Sequence, residues 1–179
     1  MQHKIFVAGN HSSAIAKGLV KKQDFTDKGI IYLENDYCTI QGLKIFGSPI
    51  TPTFHDWYFM KSRDKMDKFW SNVDHDVDIM VTHGPPKGHL DLSENTNHKL
   101  ELCGDKALAR HVERVKPILH CFGHVHDYKQ CINHGVKVYN GIVYSNAAVV
   151  EDGKFGYLVT NGNLFEIDLI NKEIKIIVE

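Results

Sequence analysis

Three short words in the sequence carry side chains able to hold a cation or move a proton: Gly9-Asn10-His11, Thr82-His83-Gly84 and Gly123-His124-Val125-His126. Together they offer one carboxamide oxygen and four imidazoles. Imidazole nitrogens and amide oxygens suit divalent ions such as Mn, Fe, Zn or Ni. Alternate residues across a tight turn let His124 and His126 face two adjacent ions, and a glycine beside each ligand lets the backbone approach closely. Taken singly, an Asn-His pair or a histidine after a strand is commonly structural. Their order and shared context carry the signal, in a chain that has 12 histidines among 179 residues.

The words become a site only if the elements before them end on one rim. Residues 4–8 (KIFVA) form a short apolar run ahead of Gly9, and residues 12–22 place Ile15, Leu19 and Val20 at helical spacing. The opening therefore reads strand, turn, helix, with Ser12 or Ser13 as N-cap. Residues 30–33, 38–40 and 43–46 read as strands, the last two joined as a hairpin at Gln41-Gly42. Residues 51–59 (TPTFHDWYF) show neither period and suggest an aromatic loop beside a pocket. A helix over 63–72 precedes the continuous apolar run 77–82 (VDIMVT), of the buried parallel type, which stops at His83. Residues 87–101 are polar and read as an exposed insertion. A helix over 105–116 ends at Pro117, and residues 118–122 deliver Gly123. The remainder reads as short strands with turns at Asn140-Gly141 and Asn161-Gly162. This order suggests a layered α/β sandwich with a mixed sheet, whose sites gather at strand ends.

Composition bounds the partners. Lys plus Arg number 21 and Asp plus Glu 22, a balance that argues against unspecific attraction to nucleic acid or an anionic membrane, so phosphate recognition must be local. No apolar run reaches the roughly 18 residues of a membrane helix, and a cytoplasmic location is the default expectation. Cys38, Cys103, Cys121 and Cys131 form no CxxC pair and read as reduced thiols.

Taken together, the three words resemble the calcineurin-like metallophosphoesterases, whose pattern runs DxH, GDxxD, GNH[DE], a single His, then GHxH; residues 9–11, 83 and 123–126 match the last three blocks. Residues 42–49 (GLKIFGSP), 79–86 (IMVTHGPP) and 122–126 (FGHVH) resemble the small brain-type metallophosphoesterase-domain phosphodiesterase branch. The resemblance implies an α-β-β-α sandwich, two divalent metals and hydrolysis of a small phosphodiester or phosphomonoester by a metal-bound hydroxide. It further implies that Asn10, His83 and His124 hold one metal, that His126 serves the neighbouring metal, and that His11 acts catalytically on the phosphoryl group or the leaving alkoxide.

The pattern also breaks. No DxH or GDxxD word precedes Asn10 or recurs later, so the Asp and His of the first block, the bridging Asp of the second and the two strands presenting them are missing. The expectation is a single domain over 1–179, incomplete at its amino end, with two-metal chemistry reduced to one ion and impaired activity. Three accounts stay open: a truncated fragment, a chain completed by another polypeptide, or self-complementation as a homo-oligomer. A non-catalytic metal-binding or regulatory module is the rival function. Ser12 replaces the family's acidic residue and reads as a cap more than as catalytic tuning. Asp127 reads as a support for a ligand or as a loop residue, Arg63 as a helix surface residue that could bind phosphate, and Asp56 and Trp57 as loop packing. His3, His55, His75, His89, His98, His111, His120 and His134 match no ligand position and read as surface or core histidines.

Overall fold

The computed structural model describes residues 2–152 and 156–178. The amino-terminal part comprises β1 (Ile5–Phe6), α1 (Ser13–Ala16), α2 (Lys22–Thr26), β2 (Ile31–Tyr32), β3 (Asp36–Ile40) and β4 (Leu43–Ser48). Next come β5 (Thr51–Pro52), β6 (Met60–Lys61), α3 (Arg63–Trp70), β7 (Ile79–Thr82), β8 (Leu92–Glu94) and β9 (Leu100–Leu102). The chain continues through α4 (Lys106–Val115), β10 (Leu119–Phe122), β11 (Gly135–Tyr139), β12 (Ile142–Asn146), β13 (Leu164–Asp168) and β14 (Glu173–Val178).

A six-stranded mixed sheet in the order β11-β12-β10-β7-β4-β3 forms the centre. Strand β7 pairs in parallel with both β4 and β10, as its uninterrupted apolar run requires of a strand covered on both faces. Side chains alternate between faces along a strand, and the register aligns the alternation across the sheet. Phe46, Met80, His120 and Tyr144 stand in one row, and Ile45, Ile79, Leu119 and Val143 in the neighbouring row. The first row packs beneath α3 and α4, against Met66, Trp70, Leu108, Val112 and Val115. Met66 and Trp70 lie four apart, and Leu108, Val112 and Val115 recur at helical spacing, so each helix presents one apolar stripe. Each such buried side chain contributes about 1.5–3 kcal/mol.

The second row is covered by Ile5, Val7 and Ile31 of the β1–β2 ladder region and by Phe165, Ile167 and Ile174 of the β13–β14 ladder. Phe25 of α2 stacks on Phe6 and on Tyr32, with ring centroids 5.0 Å apart in each pair, adding an outer layer. The layering is therefore helix, sheet, small ladders, helix, as the α-β-β-α expectation has it.

Helix α4 ends as read: Asp105 caps it by accepting from Ala107 N at 2.9 Å, and Lys116, with φ 54°, precedes Pro117. Gln41 (φ 51°) and Gly42 (φ 83°) make the β3–β4 turn with the paired positive φ that such hairpins need. Other expectations change. The helix expected over 12–22 is only α1, because Gly18 at φ 70° breaks it and Leu19 is left 75% exposed. Residues 87–101 are no simple exposed insertion: β8 and β9 pair as a hairpin whose root is buried at His89 and Asp91, and the Asp91 carboxylate accepts from Gly88 N and Gly104 N. Within residues 51–61, β5 and β6 form a short parallel ladder where no regular element was expected. Asn161-Gly162 does not join two strands; the β13–β14 turn lies at residues 169–172, where Asp168 accepts from Ile170 N and Asn171 N. Among the described residues, no helix is long and apolar enough to cross a membrane.

Candidate metal centre

Parallel pairing brings the ends of β7 and β10 level, so the loops after Thr82 and Phe122 leave the sheet together, and Gly123 N donates to His83 O at 3.1 Å. Asn10, in the turn after β1, meets them. Its Oδ1 lies 2.7 Å from His83 Nε2, and because an amide oxygen only accepts, that imidazole nitrogen carries the proton in this arrangement. The His83 and His124 ring centroids are 4.6 Å apart. Three of the expected metal ligands therefore converge.

Close approach sets the local residue choice. A Cβ on Gly9 would lie 2.4 Å from His83 Cε1, so only glycine lets the turn pass that ring. A Cβ on Gly84 would meet Thr51 Cγ2 at 3.0 Å and His124 Cδ2 at 3.6 Å, whereas at Gly123 the nearest atom is Ala148 N at 4.0 Å. The expected crowding thus holds at two of the three glycines. His124 adopts φ 72°, an uncommon conformation for a residue with a side chain, which turns it back from the strand toward His83.

His126 sits beside this group and is oriented by its Nδ1, which donates to Val150 O at 2.8 Å. That leaves Nε2 as the nitrogen available to a ligand. His11 is exposed, with its ring edge-on to Trp57 at a centroid distance of 4.4 Å. Ser12 occupies the N-cap position of α1 but makes no side-chain cap; its hydroxyl accepts from Gly9 N at 3.0 Å and closes the turn that carries Asn10 and His11. The cap reading is corrected: the hydroxyl serves the turn because an α1 of one turn gains little from a cap.

Burial, reinforced by the imidazoles of His124, His11 and His126, holds His83 down at about 3. Burial, with His126 and His11, holds His124 at about 4. Both rings are therefore neutral at pH 7, the form that ligates a metal. One oxygen donor and two neutral imidazoles fit a divalent ion of the Mn, Fe, Zn or Ni class, with positions left open. Among the described residues there is no group of three or more His, Cys, Asp or Glu side chains that could hold a metal ion; the oxygen beside His83 is the Asn10 carboxamide, of a different residue type.

A cavity of about 510 Å³ opens beside His124 and His126. Its wall includes Phe54, Arg63, Tyr128 and the β8–β9 hairpin residues Leu92 and Glu94. Phe54 tilts over His124 at a centroid distance of 5.3 Å, so the aromatic loop does line the pocket. Trp57 touches His11 while 43% exposed, which places it at the site and not in loop packing. Sequence reading missed Val150 and Asn133. Fully buried Asn133 donates to His126 O and Leu92 O and accepts from Leu92 N, tying the histidine turn to the cavity wall. Asp127 accepts from Asn133 N and His134 N and lies 2.5 Å from His134 Nδ1, so it braces the 127–134 loop and not a ligand. Nothing local in the sequence marks these partners, since all act across loops.

Residues 1–128 match the calcineurin-like phosphoesterase family. The chain belongs to that family. Divalent-metal dependence is a property of these phosphoesterases. Among calcineurin-like relatives, metallophosphoesterase domain-containing protein 1 of Homo sapiens is 33% identical over 173 residues, covering 83% of this chain and 50% of that protein. UPF0046 protein K07C11.7 of Caenorhabditis elegans is 30% identical over 166 residues, covering 85% of this chain and 53% of that protein. The chain thus spans about half the length of these relatives. The fold is shared with the crystal structure of TT1561 of Thermus thermophilus, at a TM-score of 0.52 and 12% identity, covering 97% of this chain and 71% of that one.

Proposed function

We propose that this chain is a divalent-metal-dependent hydrolase of phosphodiesters or phosphomonoesters, acting where Asn10, His83 and His124 converge. The observation that carries the reading is the 2.7 Å approach of Asn10 Oδ1 to His83 Nε2 with the His124 ring alongside, His124 in turn lining a cavity of roughly 510 Å³. Asn10, His83 and His124 would hold the ion, and His126, oriented by Val150 O, would serve a neighbouring position. When bound, the ion supplies charge to the phosphoryl oxygens and lowers the pKa of a water nucleophile.

The protein's own residues do the rest. The neutral imidazoles of His83 and His124 add no charge that would need to be displaced before a cation enters. His11, steadied by Trp57, faces the open side, where one of its ring nitrogens can give a proton to the leaving oxygen as the P–O bond breaks. Phe54 shields His124 from solvent on one side, and Arg63 on the cavity wall can pair with a phosphoryl oxygen. Manganese and a cytoplasmic setting belong to the same proposal.

The test is hydrolysis of bis(p-nitrophenyl) phosphate with added Mn2+. The expected result is turnover by the wild-type chain that His83→Ala abolishes and His11→Ala reduces by about 10²-fold or more. Equal rates for the three proteins would replace this reading with that of a non-catalytic metal-binding module.

A further inference from the structure

A second cavity, of about 300 Å³, is lined by Arg63, Lys87, Lys106 and Arg110 together with Asp67 and Asp105. Four cations face two carboxylates there, in a chain whose formal net charge is −1. Both carboxylates are already engaged. Asp105 accepts from Trp70 Nε1 at 2.6 Å and from Ala107 N, and it is buried. Asp67 Oδ1 takes Arg110 at 2.7 Å and His111 at 3.0 Å. Among the described residues, Arg63, Lys87 and Lys106 form no ion pair, so three positive groups share one concavity with a single carboxylate, Asp105, that is hydrogen-bonded by neutral donors, and positive charge is in excess.

We infer that this cavity is an oxyanion site, binding phosphate or diphosphate through Arg63, Lys87 and Lys106. The charges come from three separate segments: Arg63 opens α3, Lys87 follows the loop after β7, and Lys106 opens α4. Convergence from separate elements distinguishes the cluster from the wet face of a single helix. The helix end itself is not the argument, because Asp105 already satisfies Ala107 N. Charge-assisted contacts to three cations suit a multivalent oxyanion better than a carboxylate, and guanidinium can grip two oxygens at once. Arg63, Gly104 and Asp105 also line the cavity beside His124 and His126, so the two cavities share a wall at those residues.

The test is calorimetric titration of inorganic diphosphate into the metal-free protein with chelator present, which removes any contribution from a metal centre and makes the result independent of hydrolytic activity. Saturable binding that weakens about tenfold or more in Lys87→Glu/Lys106→Glu is expected, because each lost charge-assisted contact is worth roughly a factor of ten. Raising ionic strength should weaken it further. Lys68→Glu, an exposed charge reversal outside the cavity, serves as the control and should bind as the wild type does. No binding at millimolar diphosphate, or binding that survives Lys87→Glu/Lys106→Glu, would overturn the assignment. A parallel titration with an aryl phosphate separates the sources of the anion. Binding tighter than inorganic phosphate, and lost in the same variant, marks a substrate-borne group; equal binding, lost in the same variant, marks a free anion.

Discussion

His83 directly follows β7 and His120 rides on its parallel neighbour β10, and burial holds both imidazoles near 3, yet the two differ in everything that makes a site. His120 stands within β10, in the row between Met80 and Tyr144, fully enclosed under the helices. Its Nε2 lies 2.8 Å from Thr82 Oγ1, which itself donates to Gly84 O, so His120 is the donor and its Nδ1 is left without a partner among the described residues. His83 comes after the last residue of β7, where a carboxamide and three further imidazoles gather and a cavity begins. A depressed imidazole is thus shared by core and site. Convergence of donors at strand ends belongs to the site alone.

Exchanging the two histidines for alanine separates those roles most sharply. His83→Ala should weaken divalent-ion binding by about 100-fold or more while changing unfolding free energy by less than about 1 kcal/mol, since it removes a ligand at a half-open rim. His120→Ala should do the reverse, costing about 2–4 kcal/mol through a core cavity and the loss of the hydrogen bond that the Thr82 hydroxyl oxygen accepts, with ion affinity kept within about twofold. Calorimetric titration and denaturant unfolding on the same samples read both quantities. If His120→Ala lost the ion as completely as His83→Ala, the division would fail.

The pH dependence sharpens the comparison from the core side. His120 has a folded pKa below its unfolded one, so its unfolded form binds a proton first and stability is undiminished above about pH 6.5. Below that, stability falls toward the folded value near 3, by up to about 1.4 kcal/mol per pH unit for this one group. His120→Gln should flatten the stability profile between about pH 6 and 4 by roughly one proton. An unchanged slope would show that His120 gains its proton in the folded state as readily as in the unfolded chain. A smaller effect is expected of Gly9→Ala, whose Cβ must displace the His83 ring, so ion affinity should drop about tenfold with the fold intact. Unaltered affinity would mean that the turn can shift without disturbing the ligand.

The rim itself was legible in the sequence because local signals define it. Apolar runs ending at Gly9, His83 and Gly123 specify strands by composition, and the paired Gln41-Gly42 and the Asp105-to-Pro117 boundaries follow from turn and cap chemistry. What was not legible depends on distant partners. The buried root of the β8–β9 hairpin, the Val150 carbonyl that orients His126 and the Asn133 side chain that joins His126 to Leu92 are set by contacts between separate loops, while α1 is cut short locally by Gly18. Ser12 misled for a related reason, since a residue that can cap a helix can equally close the turn before it.

The central claim is that Asn10, His83 and His124 together hold a cation. Crystals equilibrated with Mn2+ and measured for anomalous scattering test it most directly. The account predicts an anomalous peak bordered by Asn10 Oδ1, His83 and His124, with the present Asn10–His83 hydrogen bond replaced by contacts to the ion. Anomalous peaks confined to other parts of the molecule, with that hydrogen bond unbroken, would contradict it.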